Sequence, residues 1–215
     1  RHPQESFVLA ARRDALAADL VVVNHHLFFA DVMLRDEGTA ELLPACNTVI
    51  FDEAHQLPEV ASLFFGDSVS STQLIELARD TLLEGAASAR DCLDLPPLCA
   101  AVDKAVRDWR LSLPVDPARY GWPQIQARAE FAEGLSAAIA KLDTLTTLLQ
   151  DQSSRSEGLE NCWRRASELL LRLQSWQAGN RADHVRWVET YLHSLQINTT
   201  PLAIGEMMNK QMSGP

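Results

Sequence analysis

The first third of the chain alternates helical patterns with short, uninterrupted apolar runs. Leu20–Val23 and Thr48–Phe51 are rich in aliphatic and β-branched residues, as in strands that are covered on both faces. A helical pattern lies over Ser6–Ala18, and a second one follows the first run as far as Gly38. Two such strands separated by helical residues predict a βαβ-like unit with a parallel pair of strands, within residues 1–66.

From Ser70 onwards the apolar residues recur every three or four positions, which predicts amphipathic helices. Pro114 and a polar stretch over Asp151–Gly158 separate these helices. Packing into a shared core is the simplest role of each apolar stripe, so the pattern predicts a helical bundle. The four stripes are Leu74, Ile75, Ala78 and Leu82; Leu98, Val102, Val106 and Trp109; Phe131, Leu135, Ile139, Leu142, Leu145 and Leu149; and Leu159, Trp163, Leu170, Leu173 and Trp176.

The chain turns extended again after Gly179. Alternating apolar residues over 185–192 and 195–201 predict two short strands and a hairpin-like reversal. A short amphipathic helix is expected over Leu202–Met212. The predicted fold is therefore mainly α with a small α/β part: residues 1–66 and 184–215 are expected to belong together, with a helical insertion at residues 67–183.

Composition narrows the possible functions. The 215 residues carry 19 Lys and Arg against 29 Asp and Glu, a net charge of −10, so any contact with nucleic acid must use a local basic patch. No apolar run approaches the roughly 20 residues that span a bilayer, and no membrane partner is expected. The four widely spaced cysteines match neither a zinc site nor a disulfide framework, which favours reduced thiols.

The strongest site signal follows the second apolar run, where Asp52, Glu53 and His55 occur in the sequence DEAH. Ligands of parallel α/β sheets bind at the carboxyl ends of the strands. Nucleotide hydrolysis uses one carboxylate to hold Mg²⁺, usually through water, and a second to polarise the attacking water. Two adjacent acids alone would fit a solvated turn. The combination of the apolar run with DEAH favours a hydrolysis site.

This motif and its flanking residues resemble the XPD/DinG group of superfamily 2 DNA helicases, in its YoaA-like branch. The flanking residues are Ala18–Leu27 (ADLVVVNHHL) before the motif and Gln56–Pro58 (QLP) after it, and the match is dense over residues 6–66. The resemblance implies a bacterial, cytoplasmic and nucleoid-associated ATP-dependent helicase with 5′-to-3′ polarity, acting in DNA repair. It also implies that residues 67–183 form an arch-like insertion into the first motor domain of a P-loop NTPase.

By the same resemblance, Asp52 would coordinate Mg²⁺ through water and Glu53 would be the general base for water. Both would contribute to ATP binding. His55 would couple the nucleotide state to the DNA-binding motifs. Asn24 and His25 match an Asn-His pair of the family, whose role is expected to be structural support.

The chain also departs from the family pattern. It contains no GxxxxGK[ST] phosphate loop and nothing that resembles the second motor domain, and Ser6 stands where the family places its last cluster cysteine. ATP and Mg²⁺ are therefore expected cofactors of a longer parent protein. A 4Fe–4S cluster is expected in the parent but outside this chain, which by itself should not hydrolyse ATP.

Single-stranded DNA is the expected partner of the parent, because the arch and the cluster domain of the family frame an opening for it. Lys104, Arg107 and Arg110 recur at three-residue steps on the second predicted helix and are candidate phosphate contacts. Asp103 and Asp108 lie among them, so a solvated charged face is the alternative. Replication or repair proteins are further expected partners.

Two other function classes stay open from sequence. A helical protein-interaction module with a fortuitous DEAH would be favoured if residues 20–52 were helical. A metal hydrolase could use His25, His26, Asp52 and Glu53 as zinc or iron ligands.

Overall fold

The computed structural model describes residues 7–36, 42–179 and 184–201. The chain divides into two compact units: the first unit is Arg1–Gly66 with Pro201–Pro215, and the second unit is Asp67–Thr200. The described residues are mainly helical with one small sheet. This confirms the predicted fold class.

In the first unit, α1 spans Phe7–Ala17, α2 spans His25–Asp36 and α3 spans Leu57–Phe65. Helices α2 and α3 pack together through aromatic side chains. The fully buried Phe29 ring lies 6.2 Å from the ring of Phe64 and 5.9 Å from that of Phe65. The core of this unit is therefore a small aromatic cluster between two helices.

The two strands predicted in the first unit do not form among the described residues. Residues 20–23 and 48–51 have no regular secondary structure, and Leu20, Val22 and Ile50 are 80%, 89% and 88% exposed. A strand satisfies its backbone only through a neighbouring strand, and no described strand pairs with either run. The prediction of a paired parallel unit is wrong for these residues.

The second unit contains the four predicted amphipathic helices, which are confirmed. Helix α4 spans Ser71–Ser88, α5 Leu95–Leu111, α7 Ala129–Gln152 and α8 Glu157–Ala178; the four-residue α6 (Trp122–Ile125) lies between α5 and α7. Helix α5 packs on α4 and α7, and α8 packs on α7 and α4. The bundle is closed around a shared core, which includes Leu77, Val102, Trp109, Phe131, Leu142 and Leu173.

A four-stranded sheet lies in the same unit, in the order β1-β4-β3-β2. Its strands are β1 (Asp67–Ser70), β2 (Ala118–Gly121), β3 (His184–Thr190) and β4 (Leu195–Pro201). The predicted reversal between β3 and β4 is confirmed. Strand β1 pairs antiparallel with β4, and β2 pairs antiparallel with β3.

This pairing places residues 184–200 in the second unit, although the sequence pattern groups them with residues 1–66. The physical reason is that β3 and β4 find antiparallel partners in β2 and β1, at either end of the sheet. The helix expected over Leu202–Met212 lies outside the described residues.

Helix ends in the second unit are fixed by local hydrogen bonds. Ser70 and Gln73 form a capping box at the start of α4, in which each side chain accepts a hydrogen bond from the other residue's amide. Gly179 ends α8 in the left-handed conformation, with φ of 63°. Its amide donates to the Ser175 carbonyl, as is common at helix C-termini.

Candidate functional site

The DEAH motif lies on a tight turn that leads into α3. Residues Ala54–Gln56 form a 3₁₀ turn, and Glu53 precedes it with φ of 48° and ψ of 45°. Glu53 is the one non-glycine residue with positive φ in the described part of the chain. This conformation is strained for a side chain with a Cβ, and such strain is concentrated at functional sites.

Short contacts hold the turn together. The Glu53 amide donates to Asp52 Oδ1 at 3.0 Å, and His55 Nδ1 lies 3.1 Å from Glu53 Oε2. The side chains of Glu53 and His55 are 61% and 73% exposed, and Asp52 is exposed as well. The Glu53–His55 pair is therefore a solvated surface contact that adds little stability. Both carboxylates are accessible to a hydrated cation.

Asn24 and His25 lie at the start of α2. Asn24 Oδ1 accepts a hydrogen bond from the Leu27 amide at 2.8 Å, so Asn24 is an N-cap. The His25 ring lies 6.3 Å from the Phe51 ring, which also packs edge-on against Phe28 at 5.1 Å. Phe51 directly precedes Asp52, so the start of α2 lies beside the DEAH turn. This geometry agrees with a structural role for the pair.

The residues considered for a metal hydrolase do not gather around one point. The ring of His26 lies 6.1 Å from that of Phe64, in an edge-on arrangement. Over the described ranges, no group of three or more His, Cys, Asp or Glu side chains could hold a metal ion.

A polar network on α2 is not predicted from sequence. Asp31 is 5% exposed, and its Oδ1 accepts hydrogen bonds from the amides of Leu42 and Leu43 at 2.6 and 2.9 Å. Arg35 lies 2.8 Å from the same carboxylate and donates to the Leu43 carbonyl at 2.7 Å. Asp and Arg four residues apart on one helix are the signal in the sequence. The network fixes residues 42–43 against α2.

Two of the three predicted DNA-contact residues are exposed and paired with acids on α5. Lys104 contacts Asp108, and Arg107 donates to both carboxylate oxygens of Asp103 at 2.8 and 3.0 Å. A phosphate would have to compete with these carboxylates. Contacts of Lys104 and Arg107 with DNA therefore remain a prediction.

The structure does not support the predicted DNA contact at Arg110, because its side chain is buried, with only 6% exposed. Its Nη1 donates to the carbonyls of Leu113 and Pro114 at 3.1 and 3.0 Å. Its Nη2 donates to the carbonyls of Val115 at 3.2 Å and Tyr191 at 2.6 Å, and Nε also donates to that of Tyr191 at 3.2 Å. The guanidinium has no exposed donor left for a phosphate, so Arg110 is a structural residue.

Comparison of this sequence with known proteins finds two similar DNA helicases. No protein-family profile matches the chain. The ATP-dependent DNA helicase YoaA of Haemophilus influenzae is 32% identical over 209 residues, which cover 97% of this chain and 33% of the relative. The protein of the same name from Escherichia coli K12 is 32% identical over 214 residues, covering 98% and 33%. The chain thus spans about a third of the length of these relatives. The predicted resemblance to YoaA-like helicases is confirmed.

Proposed function

We propose that this chain, which is YoaA-like in sequence over nearly its whole length, is part of an ATP-dependent DNA helicase and supplies two carboxylates for ATP hydrolysis. The observation that carries the proposal is the DEAH turn. It presents exposed carboxylates at Asp52 and Glu53 on a strained backbone, within a sequence that aligns with helicases on both sides of the motif.

Asp52 would hold Mg²⁺ through water, since this ion keeps several waters and usually takes only one or two carboxylates together with the phosphates of the substrate. The two accessible carboxylates of the turn fit that requirement. The bound ion would neutralise charge on the phosphates of ATP.

Glu53 would accept the proton of the attacking water as general base. His55, 3.1 Å from the Glu53 carboxylate, is suited to sense the state of that base and relay it to the DNA-binding parts of the helicase.

The unpaired apolar runs fit the same proposal. Leu20–Val23 and Thr48–Phe51 would become buried strands of the first motor domain, once neighbouring strands of a longer protein pair with them. Exposed aliphatic side chains such as Val22 and Ile50 would then be covered on both faces, as in a parallel sheet. Residues 67–183 would be the arch-like insertion, and the return to the motor domain would lie within residues 184–215.

The remaining features of the proposal rest on the resemblance. They are 5′-to-3′ polarity, single-stranded DNA as the substrate strand, a role in DNA repair with replication or repair proteins as partners, a location at the bacterial nucleoid in the cytoplasm, and a 4Fe–4S cluster elsewhere in the parent. Among the described helices, none is long and apolar enough to cross a membrane.

The test is the substitution Glu53→Gln in the full-length helicase. DNA-stimulated ATP turnover should fall by about 100-fold or more, while binding of a fluorescent ATP analogue changes little, because only the base is removed. Glu59→Gln is the matched control, since Glu59 is an exposed acid on the neighbouring α3. Turnover that survives Glu53→Gln would make the DEAH fortuitous and favour an interaction module.

A further inference from the structure

The outer side of strands β2 and β3 carries a cluster that the proposed ATP site does not use. We define the Trp187 surface as Arg119, Trp187, Glu189 and Tyr191. Arg119 on β2 lies opposite Glu189 on β3, and its guanidinium lies 4.5 Å from the centre of the Trp187 ring. The Arg119 side chain is 64% exposed, and Tyr191 is 46% exposed.

One carboxylate fixes the orientation of both rings. Glu189 Oε1 accepts a hydrogen bond from Trp187 Nε1 at 3.0 Å, and Oε2 accepts one from the Tyr191 hydroxyl at 3.0 Å. The hydrogen bond to Glu189 raises the pKa of Tyr191. Arg119 Nε lies 3.6 Å from Oε1. Glu189 thus holds two aromatic rings and a guanidinium in a defined arrangement.

A second cation–aromatic pair lies beside the first. The Arg186 guanidinium lies 3.7 Å from the centre of the Trp122 ring and donates to the Trp176 carbonyl at 2.6 Å. Arg119, Trp122, Arg186 and Trp187 line one open concavity. The concavity therefore combines two indole rings with two guanidinium groups.

We propose that this concavity and the Trp187 surface bind single-stranded DNA. The inference rests on the proposed helicase function, which it deepens by naming a contact for the DNA. Unpaired bases stack on aromatic rings and on guanidinium planes, and such platforms are tolerant of sequence. Trp187 and Tyr191 supply the rings, and Arg119 supplies the charge for a neighbouring phosphate.

The combination of charge with aromatic rings favours this location over the helix faces. The chain carries a net charge of −10, so a strand of phosphates needs local cations. Three exposed cations of the helices, Lys104, Arg107 and Arg165, lie against carboxylates, and others such as Lys141 have no described aromatic ring beside them on which a base could stack. At the Trp187 surface, the Glu189 carboxylate already accepts hydrogen bonds from Trp187 Nε1 and the Tyr191 hydroxyl. Arg119 Nε lies farther from this carboxylate, at 3.6 Å from Oε1.

The test measures binding of a fluorescein-labelled oligothymidylate of about 15 nucleotides to the 215-residue chain by fluorescence anisotropy, without ATP. Trp187→Leu keeps an apolar side chain but removes the stacking plane, so affinity should fall about tenfold or more. Trp187→Phe should restore most of the binding. Arg119→Glu should weaken binding and lower the salt slope by about 0.7 for each phosphate that the variant no longer neutralises.

Lys141→Glu is the charge-matched control, since Lys141 is exposed on α7. It should leave affinity nearly unchanged. Circular dichroism of each variant verifies its fold, and a Trp187→Leu variant that unfolds is replaced by Arg119→Glu alone.

The proposal is overturned if the chain does not bind the oligonucleotide, if Arg119→Glu and Lys141→Glu weaken binding equally, or if duplex DNA of the same length binds as tightly. Capture of a protein ligand by this surface, in place of the oligonucleotide, would also overturn it. Because this assay contains no ATP, its failure leaves the Glu53 prediction standing. Failure of the Glu53 prediction would in turn be seen as unaltered ATP turnover.

Discussion

The buried guanidinium of Arg110 offers a direct test of what holds the second unit together. It donates five hydrogen bonds to four carbonyls, three of them just after α5 and one in the turn between β3 and β4. The turn carbonyl belongs to Tyr191, 81 residues away in sequence. Removing this group should therefore loosen the helical bundle and the sheet at the same time.

Arg110→Met is the appropriate perturbation, because it keeps an unbranched apolar side chain about as long as the aliphatic part of arginine and removes the whole guanidinium group. A hydrogen bond to a charged group contributes about 1.5–3 kcal/mol. Water can replace part of this loss, because Val115 and Tyr191 are exposed residues. We expect the free energy of unfolding to fall by about 3–5 kcal/mol, the range typical of breaking a buried polar network.

Urea unfolding followed by tryptophan fluorescence is the assay. All five tryptophans lie within Asp67–Thr200, so the signal reports the second unit alone. With a urea slope of about 1–3 kcal/mol per molar, the midpoint should fall by about 1 M or more.

Arg107→Met is the matched control on the same helix, since Arg107 forms an exposed pair with Asp103. It should change stability by less than about 1 kcal/mol. Arg110→Lys should fall between the two, because an ammonium group cannot reproduce the planar fork of donors. If Arg110→Met unfolds within about 1 kcal/mol of the parent chain at an unchanged slope, the carbonyl contacts of Arg110 contribute little and the reasoning is wrong.

Two further predictions concern backbone conformation and thiol chemistry in the second unit. Gly179→Ala should lower stability by about 1–2 kcal/mol in a thermal melt, because the left-handed backbone disfavours a Cβ and the new methyl would lie 2.5 Å from Arg186. Gly121→Ala is the control, since Gly121 has an ordinary φ of −69° and its new methyl would come no closer than 3.8 Å to Pro123; equal losses in the two variants would contradict the prediction. Burial raises the pKa of the Cys99 thiol to about 12, so at pH 8 it stays protonated and should react with a disulfide reagent only on unfolding. The exposed Cys46 should react at once, and rapid labelling of Cys99 in the native chain would refute the prediction.

The helices of the second unit could be predicted because their signal is local. The stripe from Phe131 to Leu149 repeats every three or four residues over most of α7, and its members are buried in the structure. Each helix satisfies its own backbone. The apolar stripe then needs only another helix to cover it.

Strands β1 and β2 could not be predicted, because each has four residues and no alternating pattern. They exist through pairing with the predicted hairpin, which is a long-range contact. Arg110 fails for a similar reason. Its spacing from Arg107 indicates a charged helix face. Its hydrogen-bond partners, however, lie after the helix and at Tyr191, and the periodicity of a helix carries no information about such distant contacts.

At the candidate ATP site, the residues could be predicted from sequence but their secondary structure could not. The strand expected just before Asp52 is not formed in the described structure. Asp52 and Glu53 are positioned by a local amide contact, by the His55 pair and by the packing of Phe51 against α2. Residues 48–51, just before them, pair with no strand that the structure describes, and Ile50 among them is 88% exposed. Pairing of those residues in a larger sheet would fix the turn from a second side, so the proposed ATPase activity is best tested in the full-length protein. The second unit has its own core and sheet, so the tests of Arg110 and of the Trp187 surface can be made on the 215-residue chain.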